Sequence, residues 1–128
     1  MFDHTERLLF ASAQQLQDAT TGAISDGQRI SAAFVAGYNG MQSVQPLYAG
    51  PLGDHPLASI VTDGAARLGL AESDATLALA LLTWESYGRY QFQPAPATVE
   101  GAIAWAIRVR DAVLKLQASV AEQKHFGV

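Results

Sequence analysis

From Val99 to Val120 apolar residues recur at alternating steps of three and four: Val99, Ala102, Ala106, Val109, Val113, Leu116 and Val120. That spacing follows one stripe of a helix and fits no strand, whose side chains alternate with a period of two. Glu100, Arg108, Arg110, Asp111, Lys115 and Gln117 fill much of the remaining surface. A helix patterned this way cannot bury its stripe alone and must pack against other helices. The chain is therefore expected to be all-α, an up-and-down bundle of about five helices.

Its 128 residues are the size of one domain, 1–128, and bury enough surface to fold without a disulfide or metal. There is no cysteine, which removes disulfides, thiolate catalysis and thiolate zinc sites from consideration. Asp3, Glu6 and Arg7 interrupt the stretch Met1 to Ala13, which does not read as a secretory signal. The longest apolar stretch, Ala75 to Trp84, is about half a membrane crossing. A cytoplasmic protein is the default expectation. The net charge is -4 and the eight basic residues are dispersed. General nucleic-acid affinity, which needs clustered Lys and Arg, is disfavoured, although a small specific site stays open.

Five helical segments can be placed. The first runs from about Thr5 to Thr20, with Leu8, Leu9, Ala13, Leu16 and Ala19 on its inner side and Asp3 with Glu6 as a capping pair. Thr21-Gly22 loosens its end. The second starts near Ser25, which has Gln28 at capping-box spacing and Asp26 in the first turn. Its stripe is Ile30, Phe34, Gly37, Met41, Val44 and Tyr48, in phase across Asn39-Gly40, so one continuous helix is favoured over two short ones. Pro46 and Gly50-Pro51-Leu52-Gly53 form a linker. Pro56 opens the third helix. Leu57, Ile60, Val61, Ala65 and Leu68 are its inner face, Gly69 stops it, and Leu70 folds back. The fourth runs from Ser73 or Asp74 to about Tyr90. Its first half, built of alanine and leucine, is apolar almost all round, which predicts the central, most enclosed helix. Pro94-Ala95-Pro96 is a second linker and Thr98 caps the fifth helix. The tail, Glu122 to Val128, is expected to fray.

Chemistry-bearing residues are sparse. His4 and His125 lie near the ends and read as solvent-exposed. In Gly53-Asp54-His55-Pro56, either Asp54 or His55 caps the next helix, or the pair is set for proton transfer. No Glu-x-x-His unit, histidine pair at helical spacing, phosphate loop or nucleophile elbow occurs, so no metal, cofactor or catalytic serine is implied. The most unusual composition is Trp84, Glu85, Tyr87, Arg89, Tyr90 and Phe92 within nine residues. Its plain reading is an aromatic plug at one end of the bundle, with Arg89 paired to Glu85 four residues earlier. Its functional reading is a contact surface, because Trp, Tyr and Arg dominate interface energetics. A pocket lined by Phe34, Tyr38, Met41 and Trp84 is a further option, which core packing explains equally well.

Several segments together resemble the HEPN superfamily, the nucleotide-binding helical domains of higher eukaryotes and prokaryotes. The first helix, Leu8 to Ala19, looks like that family's opening helix, and Ala32-Ala33-Phe34-Val35-Ala36-Gly37-Tyr38 like its alanine-rich partner. His55-Pro56-Leu57 resembles a His-x-Leu approach to the third helix. Tyr87-Gly88-Arg89-Tyr90, followed by a linker and an alanine-rich last helix, resembles a Tyr-x-x-Arg-Tyr ending. The nuclease members carry an Arg followed by a His four to six residues on, and no arginine here has one. The resemblance thus implies a member that binds partners or dimerises. The leading expectation is a non-catalytic module that forms a homodimer or binds another protein through Trp84, Tyr87, Arg89, Tyr90 and Phe92. The alternative the resemblance implies is an RNA- or nucleotide-acting protein using His55 and Arg89.

Overall fold

The computed structural model describes residues 4–20, 25–44 and 56–126, with side chains described for 8–20, 25–44 and 57–120. Five α-helices make up the bundle: α1 (His4–Thr20), α2 (Asp26–Ser43), α3 (Pro56–Leu68), α4 (Glu72–Ser86) and α5 (Val99–Phe126), with a short 3-10 turn (Gly88–Gln91) after α4. Thr21-Gly22, the linker around Pro46 to Gly53, Tyr48, Asp54 and His55 lie outside the described residues, as does the Asp3 end of the first capping pair.

Local signals set the helix ends. Ser25 Oγ accepts from the Gln28 amide at 3.2 Å, and Gln28 Oε1 accepts from the Ser25 amide at 3.4 Å, completing the capping box. Thr98 Oγ1 accepts from the Gly101 amide at 3.0 Å at the start of α5. Past α3, Gly69 turns left-handed at φ 65°. The Gly69 amide then donates to Ala66 O and the Leu70 amide to Ala65 O, closing both hydrogen bonds of a Schellman cap. Leu70 packs back on the core.

α2 runs unbroken through Asn39-Gly40. It touches every other α-helix. Ala32, Ala33, Ala36, Gly37 and Gly40 give it a slim, buried profile that neighbours can approach closely. Trp105 of α5, fully buried, lies so close to Gly37 that a Cβ there would overlap its ring. Met41 fills the space beside Gly64 of α3. The α5 stripe faces inward: Val99, Ala102, Ala106, Val109 and Val113 are buried, and Leu116 and Val120 are half-buried.

The expectation that α4 is the central helix is corrected by this arrangement. Only Asp74, Ala78, Leu81 and Trp84 of α4 are buried, and Leu79 is 42 % exposed. Position in the bundle follows closeness of approach, which α2's glycines and alanines allow, and not the apolar content of a segment. Two smaller expectations also change. On α1, Ala13 is exposed, while Ser12 turns inward and donates to Ala36 O at 2.6 Å. A buried hydroxyl is tolerated there because a backbone carbonyl satisfies it. On α3, Leu57 is 49 % exposed because it stands in the first turn, at the end of the packed face. α5 is helical through Phe126.

Candidate functional site

The aromatic segment is where α4 gives way. The helix was expected to reach about Tyr90, but it ends at Ser86 and the chain tightens into the 3-10 turn. Gly88 is the pivot. It is buried, and a Cβ there would lie 3.2 Å from Trp84 Cδ1. The Trp84 indole donates to Gln93 O at 3.1 Å, and the Gln93 amide donates to Gly88 O at 2.9 Å. These bonds fold the chain back over the Trp84 ring.

Arg89 holds this turn to the bundle. Its guanidinium donates to Glu85 Oε1 at 2.8 Å and to Ser31 Oγ of α2 at 2.9 Å. It also lies 5.8 Å from the Trp84 ring centroid and 5.4 Å from that of Tyr90. A cation placed against two rings and one carboxylate is a clamp. Glu85 Oε2 is buried with no hydrogen-bond partner among the described residues, so the clamp draws on one carboxylate oxygen only.

The five residues of this segment therefore divide. Trp84 is buried and serves as the plug. Tyr87 is 69 %, Tyr90 71 % and Phe92 97 % exposed. Phe92 also sits in the left-handed region at φ 58°, ψ 27°. That conformation disfavours residues with a Cβ by about 1 kcal/mol, yet it carries a large ring held out into solvent.

Phe34, Tyr38 and Met41 belong to the core. Phe34 stacks on Trp105 with ring centroids 6.2 Å apart and leans against Tyr38 at 5.9 Å. Met41 is fully buried. Burial raises the Tyr38 phenol above its ordinary pKa, which keeps it protonated. Trp105 packs against Phe34 and the backbone at Gly37. His55 lies outside the described residues, as do the side chains of His4 and His125.

One polar cluster had no signal in the sequence reading. Asp74, buried in the first turn of α4, takes three hydrogen bonds from Arg108 of α5 at 2.9–3.2 Å. Its backbone carbonyl accepts from the Trp105 indole at 3.1 Å. Hydrogen bonding to Asp74, aided by its charge and opposed by desolvation, raises the Arg108 pKa further. The two partners stand 34 residues apart, and nothing local announces the pair. It pins α4 to α5 and orients Trp105.

Among the described residues no group of three or more His, Asp or Glu side chains could hold a metal ion. No described helix is long and apolar enough to cross a membrane. In comparisons with known proteins, no family model, no curated protein and no solved structure matches the chain.

Proposed function

We propose that this chain is a non-catalytic cytoplasmic module that works by binding a protein surface, with a second copy of itself as the first candidate. The observation that carries this reading is the trio Tyr87, Tyr90 and Phe92, exposed on a turn that Arg89, Trp84 and Gly88 hold in one shape. Aromatic rings offer large contact area with few rotatable bonds, and a pre-shaped presenter loses little entropy on binding. Arg89, the arginine of the nucleotide reading, is already committed to Glu85, Ser31 and two rings. A kinship with HEPN modules that lack the nuclease pair is part of the proposal and rests on the motif residues.

Sedimentation velocity across a wide concentration range tests it. The wild type is expected to pair, and Tyr87→Ser, Tyr90→Ser or Phe92→Ser to weaken pairing. The most central ring should contribute about 2 kcal/mol, roughly thirtyfold in the dissociation constant. Glu100→Ala, at an exposed site on α5, serves as the control. A wild type that stays monomeric at millimolar concentration, or serine variants that pair as tightly as the wild type, would overturn self-pairing through this surface.

A further inference from the structure

We propose that the cleft between the end of α3 and the second half of α5 binds a small amphiphilic anion, an elongated apolar body that ends in a carboxylate. This site shares no residue with the aromatic turn and does not depend on self-pairing.

The first argument is shape. The cleft has a volume of about 460 Å³, within the range of small-molecule sites. The left-handed turn at Gly69 ends α3 and reverses the chain, which sets Leu68 and Leu70 along one wall. Both are half-buried and packed against the core, so this wall is fixed. The opposite wall is one face of α5: Ala112, Lys115, Leu116 and Ser119, at helical steps of three, one and three. That face runs for about 10 Å along the helix. Its first residue is an alanine, which leaves that end of the cleft open.

The second argument is charge, which selects the ligand. Arg67 and Lys115 reach the cleft from different helices, and among the described residues no Asp or Glu lines it. Lys115 makes no ion pair among the described residues, although Asp111 stands four positions before it. In a chain of net charge -4 this is a local reversal of sign. Charges of one sign over low-dielectric walls focus their field on the space between. The clefts of about 610 Å³ and 260 Å³ that border Thr76 of α4 have the opposite character, because Glu72 is the one charged residue lining either of them. An anion is repelled there and drawn to the α3–α5 cleft.

The walls and the cations together narrow the chemistry. A hydrated inorganic anion would leave the leucine wall uncovered. A neutral chain would cover the leucines and leave two like charges facing each other. One carboxylate offsets both cations, as in charge-assisted hydrogen bonding. Its apolar body lies along Leu68, Leu70 and Leu116, and the Ser119 hydroxyl borders the cleft one helical turn beyond Lys115.

Calorimetric titration with decanoate, kept below its micelle concentration, tests the site. Decanoate is expected to bind saturably, one per chain, while decanol and decyltrimethylammonium bind about tenfold more weakly or worse. Lys115→Gln should weaken decanoate about fivefold. Ala112→Phe, which fills the open end, should abolish binding. Arg110→Gln removes the same charge from another face of α5, where Arg110 borders a separate cleft with Leu9. It should change the affinity less than about twofold. Amide shifts on binding should cluster at 68–71 and 112–119. Lys115 is exposed, so if Ala112→Phe loses its helical circular dichroism, the comparison of Lys115→Gln with Arg110→Gln decides. Decanoate that fails to saturate at millimolar concentration, decanol that binds as tightly, or equal affinities in the two glutamine variants overturn the proposal. Amide shifts centred on Trp84 to Phe92 overturn it as well.

Discussion

α2 and α4 exchange the roles that their compositions suggest. α4 has the more apolar run, yet it lies against one side of the bundle with Leu79 exposed. α2 carries Asn39 and two glycines in its second half, and it is the helix that all others lean on. The difference lies in side-chain size where backbones approach. Trp105 can reach the α2 backbone only because Gly37 has no side chain. A row of leucines holds its neighbours at the ordinary interaxial distance of about 8–10 Å. Apolar content decides whether a helix is covered, and small residues decide how many helices can cover it.

The comparison can be broken in order of effect. Trp105→Ala should be the most damaging change, about 3–5 kcal/mol by urea unfolding, since it empties the α2–α5 contact and removes the bond to Asp74. A loss below 1 kcal/mol would mean that α2 is not the centre. Within α4, Leu81→Ala should lose about 2–4 kcal/mol, whereas Leu79→Ala should lose under about 1 kcal/mol in the dilute monomer. Equal losses would show that α4 is enclosed on both sides in one chain. Gly37→Ala should destabilise by about 1–3 kcal/mol through overpacking against Trp105. Gly40→Ala should do the reverse. Its added methyl would sit 3.4 Å from Val109 and Val113, and the better helix former should add up to about 1 kcal/mol. Two glycines three residues apart with opposite signs would isolate closeness of approach from helix propensity. The smallest effect is at Phe92. Phe92→Gly relieves the left-handed conformation and should raise the melting midpoint slightly while weakening any self-association. A fall in the midpoint would show that the ring contributes to the fold.

What could be read in advance was whatever operates within a few residues. Ser25 with Gln28, Thr98, and Gly69 with Leu70 act across one turn, and all formed as the spacing indicated. The α5 stripe held because helical phase is also local. Trp105 lies in phase with that stripe, three residues after Ala102 and four before Val109, but its place against Gly37 depends on another helix. The Asp74–Arg108 pair and the inward Ser12 also depend on which helices meet. The aromatic segment was visible as composition. Its division into a buried Trp84 and exposed neighbours was not, because that follows from the break at Gly88.

The wiring through α2 has a consequence for how the molecule breathes. Four spokes on one hub mean that detaching any spoke bares part of the hub, so partial openings forfeit contacts that a layered stack would keep. Amide protons of α2 should therefore exchange with solvent last and together, at the rate of whole-molecule unfolding, while the far end of α5 exchanges early and separately.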